Sequence, residues 1–178
     1  MKKFLTIIFT VVLLLGCNKE NAPKPIILPI QQLPPPTQVG ANTFGCLLDG
    51  QVFIPGNTPN PLDSQYQLIS GEYYFAIDGA KKFANNDLIS IGLGTIKLTI
   101  QEGATYQLFA QEDNKANGSF FFNTFISYTS NTNTGEMKIT KFDTINQIVS
   151  GTFWFDVLDN FGIKHEIREG RFDMRYTM

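Results

Sequence analysis

From Phe44 onward the chain reads as short runs of alternating apolar and polar residues, cut by turn signals. Phe44 to Leu48 is the first run. Asp49-Gly50 then signals a hairpin, because glycine tolerates positive φ, and Gln51 to Ile54 returns. Pro55 to Ser64, with three prolines, is a loop. Strands follow at Tyr66 to Ile69 and Glu72 to Asp78 about Ser70-Gly71, then at Leu88 to Leu93 and Thr95 to Gln101 about Gly94, and at Thr105 to Gln111. Glu112 to Gly118 is a polar turn, Ser119 to Tyr128 a long aromatic strand, and Asn131 to Gly135 another turn. Glu136 to Phe142, Ile148 to Val157 and Ile163 to Tyr176 complete the set, the last split at Gly170. No segment sustains a 3.6-residue period, so almost no helix is expected outside the apolar N-terminus. About ten strands of this kind predict an all-β domain, an antiparallel β-sandwich, with a closed up-and-down β-barrel as the alternative.

Alternation also assigns faces. The inward sets are Tyr73, Phe75 and Ile77; Ile96, Leu98 and Ile100; Tyr106 and Leu108; Phe120, Phe122, Ile126 and Tyr128; Phe153, Phe155 and Val157; and Phe172, Met174 and Tyr176. The outward sets include Thr152, Trp154 and Asp156, and Arg171, Asp173 and Arg175. Glycine precedes alternating aromatics at Gly71, Gly118, Gly151 and Gly170. Their unequal spacing excludes an array repeat and points to bulges or strand entries.

Upstream the texture differs. Lys2 and Lys3 precede an apolar run from Phe4 to Leu15. At about a dozen residues it is too short for a spanning helix, which needs ~20 to cross ~30 Å of hydrocarbon. It has the length of a secretory segment. Leu14-Leu15-Gly16-Cys17 then resembles the lipobox of bacterial lipoproteins. The resemblance implies a signal peptide over 1–16, cleavage after Gly16, and acyl chains such as palmitate on Cys17 that hold the protein on a membrane. The alternative is an ordinary secretory signal with Cys17 as a free thiol. Residues 17–43 hold Pro23, Pro25, Pro29, Pro34, Pro35 and Pro36 and read as a polyproline tether, ~3.1 Å per residue, ahead of a single β domain over 44–178.

Composition narrows the class. With 16 phenylalanines among 178 residues the chain is aromatic-rich, which suits β structure. Without Lys2 and Lys3 the formal charge is −4, read from the 14 basic and 16 acidic residues of the whole chain. Nothing there offers the basic stripe that nucleic acid requires. Once Cys17 is acylated, Cys46 has no partner for a disulfide. Its apolar surroundings, Phe44-Gly45-Cys46-Leu47-Leu48, mark it as a small buried hydrophobe rather than a nucleophile.

A second resemblance rests on Pro34-Pro35-Pro36-Thr37-Gln38-Val39-Gly40-Ala41-Asn42-Thr43-Phe44-Gly45, followed by the Asp49-Gly50 turn. Ile148-Val149-Ser150-Gly151-Thr152-Phe153 and Glu169-Gly170-Arg171-Phe172-Asp173 match at the other end. The chain is similar to a family of small Gram-negative lipoproteins built around a β-rich domain of unknown function. The resemblance implies an envelope lipoprotein, with the outer membrane as its site and the domain facing periplasm or cell surface. It brings no catalytic residue. It also raises the alternative that Thr37 to Phe44 packs on the domain.

Candidate chemistry is sparse. The single histidine, His165, sits in an expected strand and lacks partners for a triad or metal site. Glu112-Asp113 and Asp156 with Asp159 are carboxylates close in sequence, but glycosidase pairs are defined in space. Asp113-Asn114-Lys115-Ala116-Asn117-Gly118 has Lys115 at a ligand spacing and no closing Glu, so it is a turn rather than a calcium loop. Gly92-x-Gly94 has no helix after it to bind phosphate. No catalytic residue, metal ligand or cofactor is assigned. The outward aromatics stand out: Trp154, Tyr74, Phe109, Phe121 and Phe125 break the polar face and are candidate contact residues. The expectation is a lipid-anchored, non-catalytic binding or assembly module for glycan or envelope protein. The alternatives are a small β-barrel carrying an apolar ligand and an envelope polymer hydrolase. The bland alternative for the aromatics is that the second face is covered as well.

Overall fold

The computed structural model describes residues 27–178; the apolar N-terminus and Cys17 lie outside that range. A short 3-10 turn, Pro29–Gln32, leads into eleven strands: β1 Thr43–Leu48, β2 Gln51–Phe53, β3 Leu62–Ile69, β4 Glu72–Lys82, β5 Leu88–Ile96, β6 Thr105–Leu108, β7 Lys115–Phe122, β8 Phe125–Tyr128, β9 Gly135–Asp143, β10 Ile148–Leu158 and β11 Lys164–Arg175. They form one sheet in the order β2-β1-β11-β10-β9-β6-β7-β5-β4-β3, with β8 paired to β7. Pairing is antiparallel except between β6 and β7, which meet in parallel at Leu108 and Ala116. That junction divides the sheet into halves that face each other across one core.

The sheet is not closed, so the barrel alternative is overturned. β2 and β3 are its edges. Backbone contacts brace them without completing a ladder. Beyond β11, Thr177 bridges to β3, with Tyr66 N–H donating to the Thr177 carbonyl at 2.8 Å. Gly56 makes a similar bridge to β4. The core has the composition that alternation calls for. Phe44, Phe53, Phe75, Ile77, Ile91 and Phe155 are all 2% exposed or less. Along β10, Phe153, Phe155 and Val157 are buried while Thr152, Trp154 and Leu158 are exposed. Glycine makes room for the core rings. A Cβ on Gly118 of β7 would meet the Phe155 ring of β10 at 2.9 Å, and one on Gly170 would meet the ring of its ladder partner Phe153 at 2.5 Å. Cys46 is fully buried and free, and burial pushes its thiol well above the ordinary range.

Several elements differ from the sequence reading. β5 runs through Gly94 and ends at Ile96, because Lys97 takes a left-handed φ of 50°. β11 runs through Gly170 unbroken. The polar turn expected over Glu112 to Gly118 is shorter, since β7 starts at Lys115 and buries Ala116, Asn117 and Gly118.

The largest difference is at Ser119 to Tyr128, which is a hairpin and not one strand. Asn123, at φ 55°, turns the chain so that Phe122 pairs with Phe125 and Ser119 with Tyr128. This pairing inverts the parity of the second strand. Ile126 and Tyr128 therefore share the outer face with Phe121 and Ser119, and Ile126 is 48% exposed rather than in the core.

Asp173 is a second correction. It points outward, as alternation requires, yet it is only 1% exposed. The segment from Thr37 to Ala41 lies over it. Asp173 Oδ2 accepts from Thr37 Oγ1 at 2.6 Å, Val39 N–H at 3.0 Å and Ala41 N–H at 3.1 Å. Its Oδ1 accepts from Gly40 N–H at 2.8 Å and Ser150 Oγ at 2.8 Å. Burial alone would raise the pKa; these bonds outweigh it and hold the carboxyl at about 2. Upstream, Leu33 is buried, and Pro34 packs so closely that a Cβ on Gly45 would lie 2.8 Å from its ring.

Candidate functional site

The outer face of the β9–β10–β11 half is a polar surface with one large aromatic on it. Trp154 is 41% exposed. Across the ladder it pairs with Glu136 on β9. On the other side a bulge between Phe153 and Phe155 shifts the β11 register. The shift brings the Arg168 guanidinium 5.5 Å above the indole centroid. A cation stacked this way on an exposed ring stabilises the pair by about 0.5–1 kcal/mol.

Arg168 is held on its remaining edges. Nη1 donates to the Phe155 carbonyl at 3.1 Å and the Ile167 carbonyl at 2.9 Å, and Nη2 to Asp156 Oδ1 at 2.6 Å. Asp156 also meets Lys164 Nζ at 2.8 Å. Burial works to raise the Asp156 pKa, but the bonds from Lys164 and Arg168 outweigh it and lower it. The indole is thereby backed by a fixed cation while part of its surface stays open.

A groove of about 540 Å³ runs beside it, bordered by Trp154, Thr152, Arg168, Glu169, Arg171 and Pro36. The proline-rich segment forms one bank, where the Pro34 carbonyl accepts from Arg171 Nη1 at 3.4 Å. The groove offers an aromatic surface, guanidinium donors, a hydroxyl and one carboxylate. That is the chemistry of recognition by stacking and hydrogen bonding.

The candidate aromatics do not form one patch. Tyr74 and Phe121 lie on the outer face of the other half, both half-buried. Phe109 is half-buried at the end of β6, with Lys115 Nζ 5.7 Å from its ring centroid. Phe125 is 48% exposed at one end of the sandwich, edge-on to Phe161 at 5.8 Å. Behind Phe161 lies an apolar pocket of about 270 Å³ whose walls include Ile89, Phe120, Phe122 and His165. His165 stacks on Phe120 at 4.3 Å. Its Nδ1 lies 2.8 Å from Asp49 and its Nε2 3.4 Å from Asp159, so the two carboxylates that share this pocket both bond the same ring.

Sequence reasoning singled out Trp154 but missed Arg168, which a bulge brings over it, and Pro36, which belongs to a segment read as tether. No local pattern marks either one. Compared with models of known protein families, with curated proteins and with solved structures, the chain matches none. No helix among the described residues is long and apolar enough to cross a membrane.

Proposed function

We propose that the chain is a lipid-anchored binding module of the bacterial cell envelope, without catalytic activity. Acyl chains on Cys17 tether it to the outer membrane, and the groove beside Trp154 presents the domain to glycan or to an envelope protein. The observation that carries this reading is Trp154 itself. A large aromatic, two-fifths exposed and backed by a fixed guanidinium, borders an open groove on an otherwise polar face. The two-fifths of its surface that stays open lies against the groove, where a ligand that covered it would gain apolar burial on binding.

Trp154 is the single tryptophan, so its fluorescence reports on this groove alone. The full chain in a sugar-free detergent should show red-shifted emission that acrylamide quenches. A panel of envelope glycans and peptides should contain a ligand that shifts the emission and protects it. A blue, protected signal in the free protein would sink the reading. So would a Trp154→Ala variant that loses stability sharply and keeps every binding signal. The anchor has its own test, incorporation of labelled palmitate that Cys17→Ala abolishes.

A further inference from the structure

On the opposite half, the outer face of β4, β5, β7 and β8 carries a different groove, of about 290 Å³. Its floor is bare backbone. Gly92 and Gly94 occupy adjacent outward positions of β5, a central strand, where glycine forgoes side-chain packing and weakens the strand. Register places Asp78 and Ser119 on either side of Gly92, and Ala76 and Asn117 on either side of Gly94. Tyr74 and Tyr128 stand among the walls, with Gln111 at the rim. Tyr128 arrives there only because the β7–β8 hairpin inverts its parity.

Asn117 is the telling residue. It is 5% exposed and lines the groove, and its side-chain amide makes no hydrogen bond to any described residue. A Cβ on Gly94 would lie 3.7 Å from its Oδ1 and 3.9 Å from its Nδ2, so the amide lies over the open floor. The amide atoms are not sealed in the core but reach the open groove, where their donors and acceptor are free to bond a ligand. Asp78 is half-buried on the far side of β5, across Gly92 from Ser119, with one oxygen held by Ser90 Oγ at 3.0 Å. Burial, the largest influence, raises its pKa. The groove therefore presents aromatic walls, a planar amide, a carboxylate and a hydroxyl around a flat floor.

That combination fits a ring with an apolar face and a rim of hydroxyls. An anion would meet the Asp78 carboxylate. A purely apolar ligand would leave Asn117 unpaired. The volume sits at the low end of the ~300–1,000 Å³ typical of ligand pockets, enough for one ring rather than a chain. We propose that the Tyr74–Tyr128 groove is a saccharide subsite that takes one neutral pyranose ring, laid over Gly92 and Gly94 and hydrogen-bonded by Asn117, Asp78 and Ser119. It extends the reading of the domain as a binding module and is independent of Trp154.

The test uses the full chain, isotope-labelled, in a sugar-free detergent. It is titrated with glucose, galactose, mannose, N-acetylglucosamine and their β-linked disaccharides, and followed by amide NMR. At least one sugar should shift the backbone amides of Gly92 and Gly94 and the Asn117 side-chain NH₂ together. Asn117→Ala should weaken that sugar about five- to tenfold, as loss of its hydrogen bonds implies, and leave the melting temperature within a few degrees. Tyr74→Leu and Tyr128→Leu should weaken it comparably, and Trp154→Ala should leave it unchanged.

The proposal is overturned if no sugar moves these resonances up to its solubility limit, or if Asn117→Ala lowers the melting temperature and keeps the affinity. Shifts produced by acidic sugars or peptides in place of neutral sugars overturn it too. If Trp154 fails its own test while Gly92 and Gly94 respond, the first groove falls and this one stands.

Discussion

Replacing Asp173 by asparagine should expose how the two ends of the domain are joined. The carboxylate is 1% exposed and takes five hydrogen bonds, four of them from Thr37, Val39, Gly40 and Ala41. Its pKa falls from 3.8 to about 2. At ~1.4 kcal/mol per pKa unit, the ionised form contributes about 2.5 kcal/mol of stability that the neutral acid does not. Asparagine mimics the neutral form and turns an NH₂ toward backbone donors. The loss should therefore be about 2.5–4 kcal/mol near neutral pH, or roughly 5–15 °C in Tm.

The sign with pH follows from the depressed pKa. The contribution is fully present above the unfolded value near 3.9 and is lost as pH falls through about 2. Urea titrations from pH 7 to pH 2 on the full chain measure this directly. The gap between wild type and Asp173→Asn should be widest at neutral pH and narrow steadily in acid. Hydrogen exchange should show the amides of Gly40 and Ala41 losing protection first. A gap under ~0.5 kcal/mol at pH 7, or one that stays constant into acid, would refute the assignment of Asp173 as the clasp.

Three further outcomes follow from the packing. Cys46 should resist thiol reagents in the native protein and react at once in urea, as a thiol that burial holds protonated must; labelling followed by mass spectrometry reads this out. Gly135→Ala should cost at least about 3 kcal/mol in chemical denaturation, because a Cβ there would overlap the Trp154 carbonyl and Phe155 Cβ. Asp159→Asn should loosen the β10–β11 turn, whose Phe161 and Ile163 amides donate to that carboxylate at 2.9 and 2.7 Å. Burial alone would raise the Asp159 pKa, but these bonds and His165 lower it, so a stability loss of about 1–2 kcal/mol should appear at neutral pH and fade in acid.

What was legible in the sequence follows the reach of each signal. Alternation is local, and it located the strand interiors and the buried face of β10 wherever one side of a strand meets solvent. It could not see that the outer face of β11 is covered near Asp173, because the covering segment lies more than 130 residues away in the chain. The β7–β8 turn was hidden for another reason. Phe120, Phe121, Phe122 and Phe125 form an unbroken aromatic texture, and Asn123 turns the chain without the glycine that usually announces a hairpin. That one missed turn moved Tyr128 from the groove wall to the core, and with it the second candidate site. The stretches at the two ends of the domain have a physical relation to one another. Thr37 and Gly40 in the opening stretch bond Asp173 in the closing one, and Asn42 Oδ1 accepts from Arg175 N–H at 3.1 Å. The opening stretch is thus the lid on the outer face of β11, and its last residues lead directly into β1, the strand that pairs with β11. A ligand at Trp154 would rest against this same lid through Pro36, so the Asp173 clasp should also set the shape of that groove.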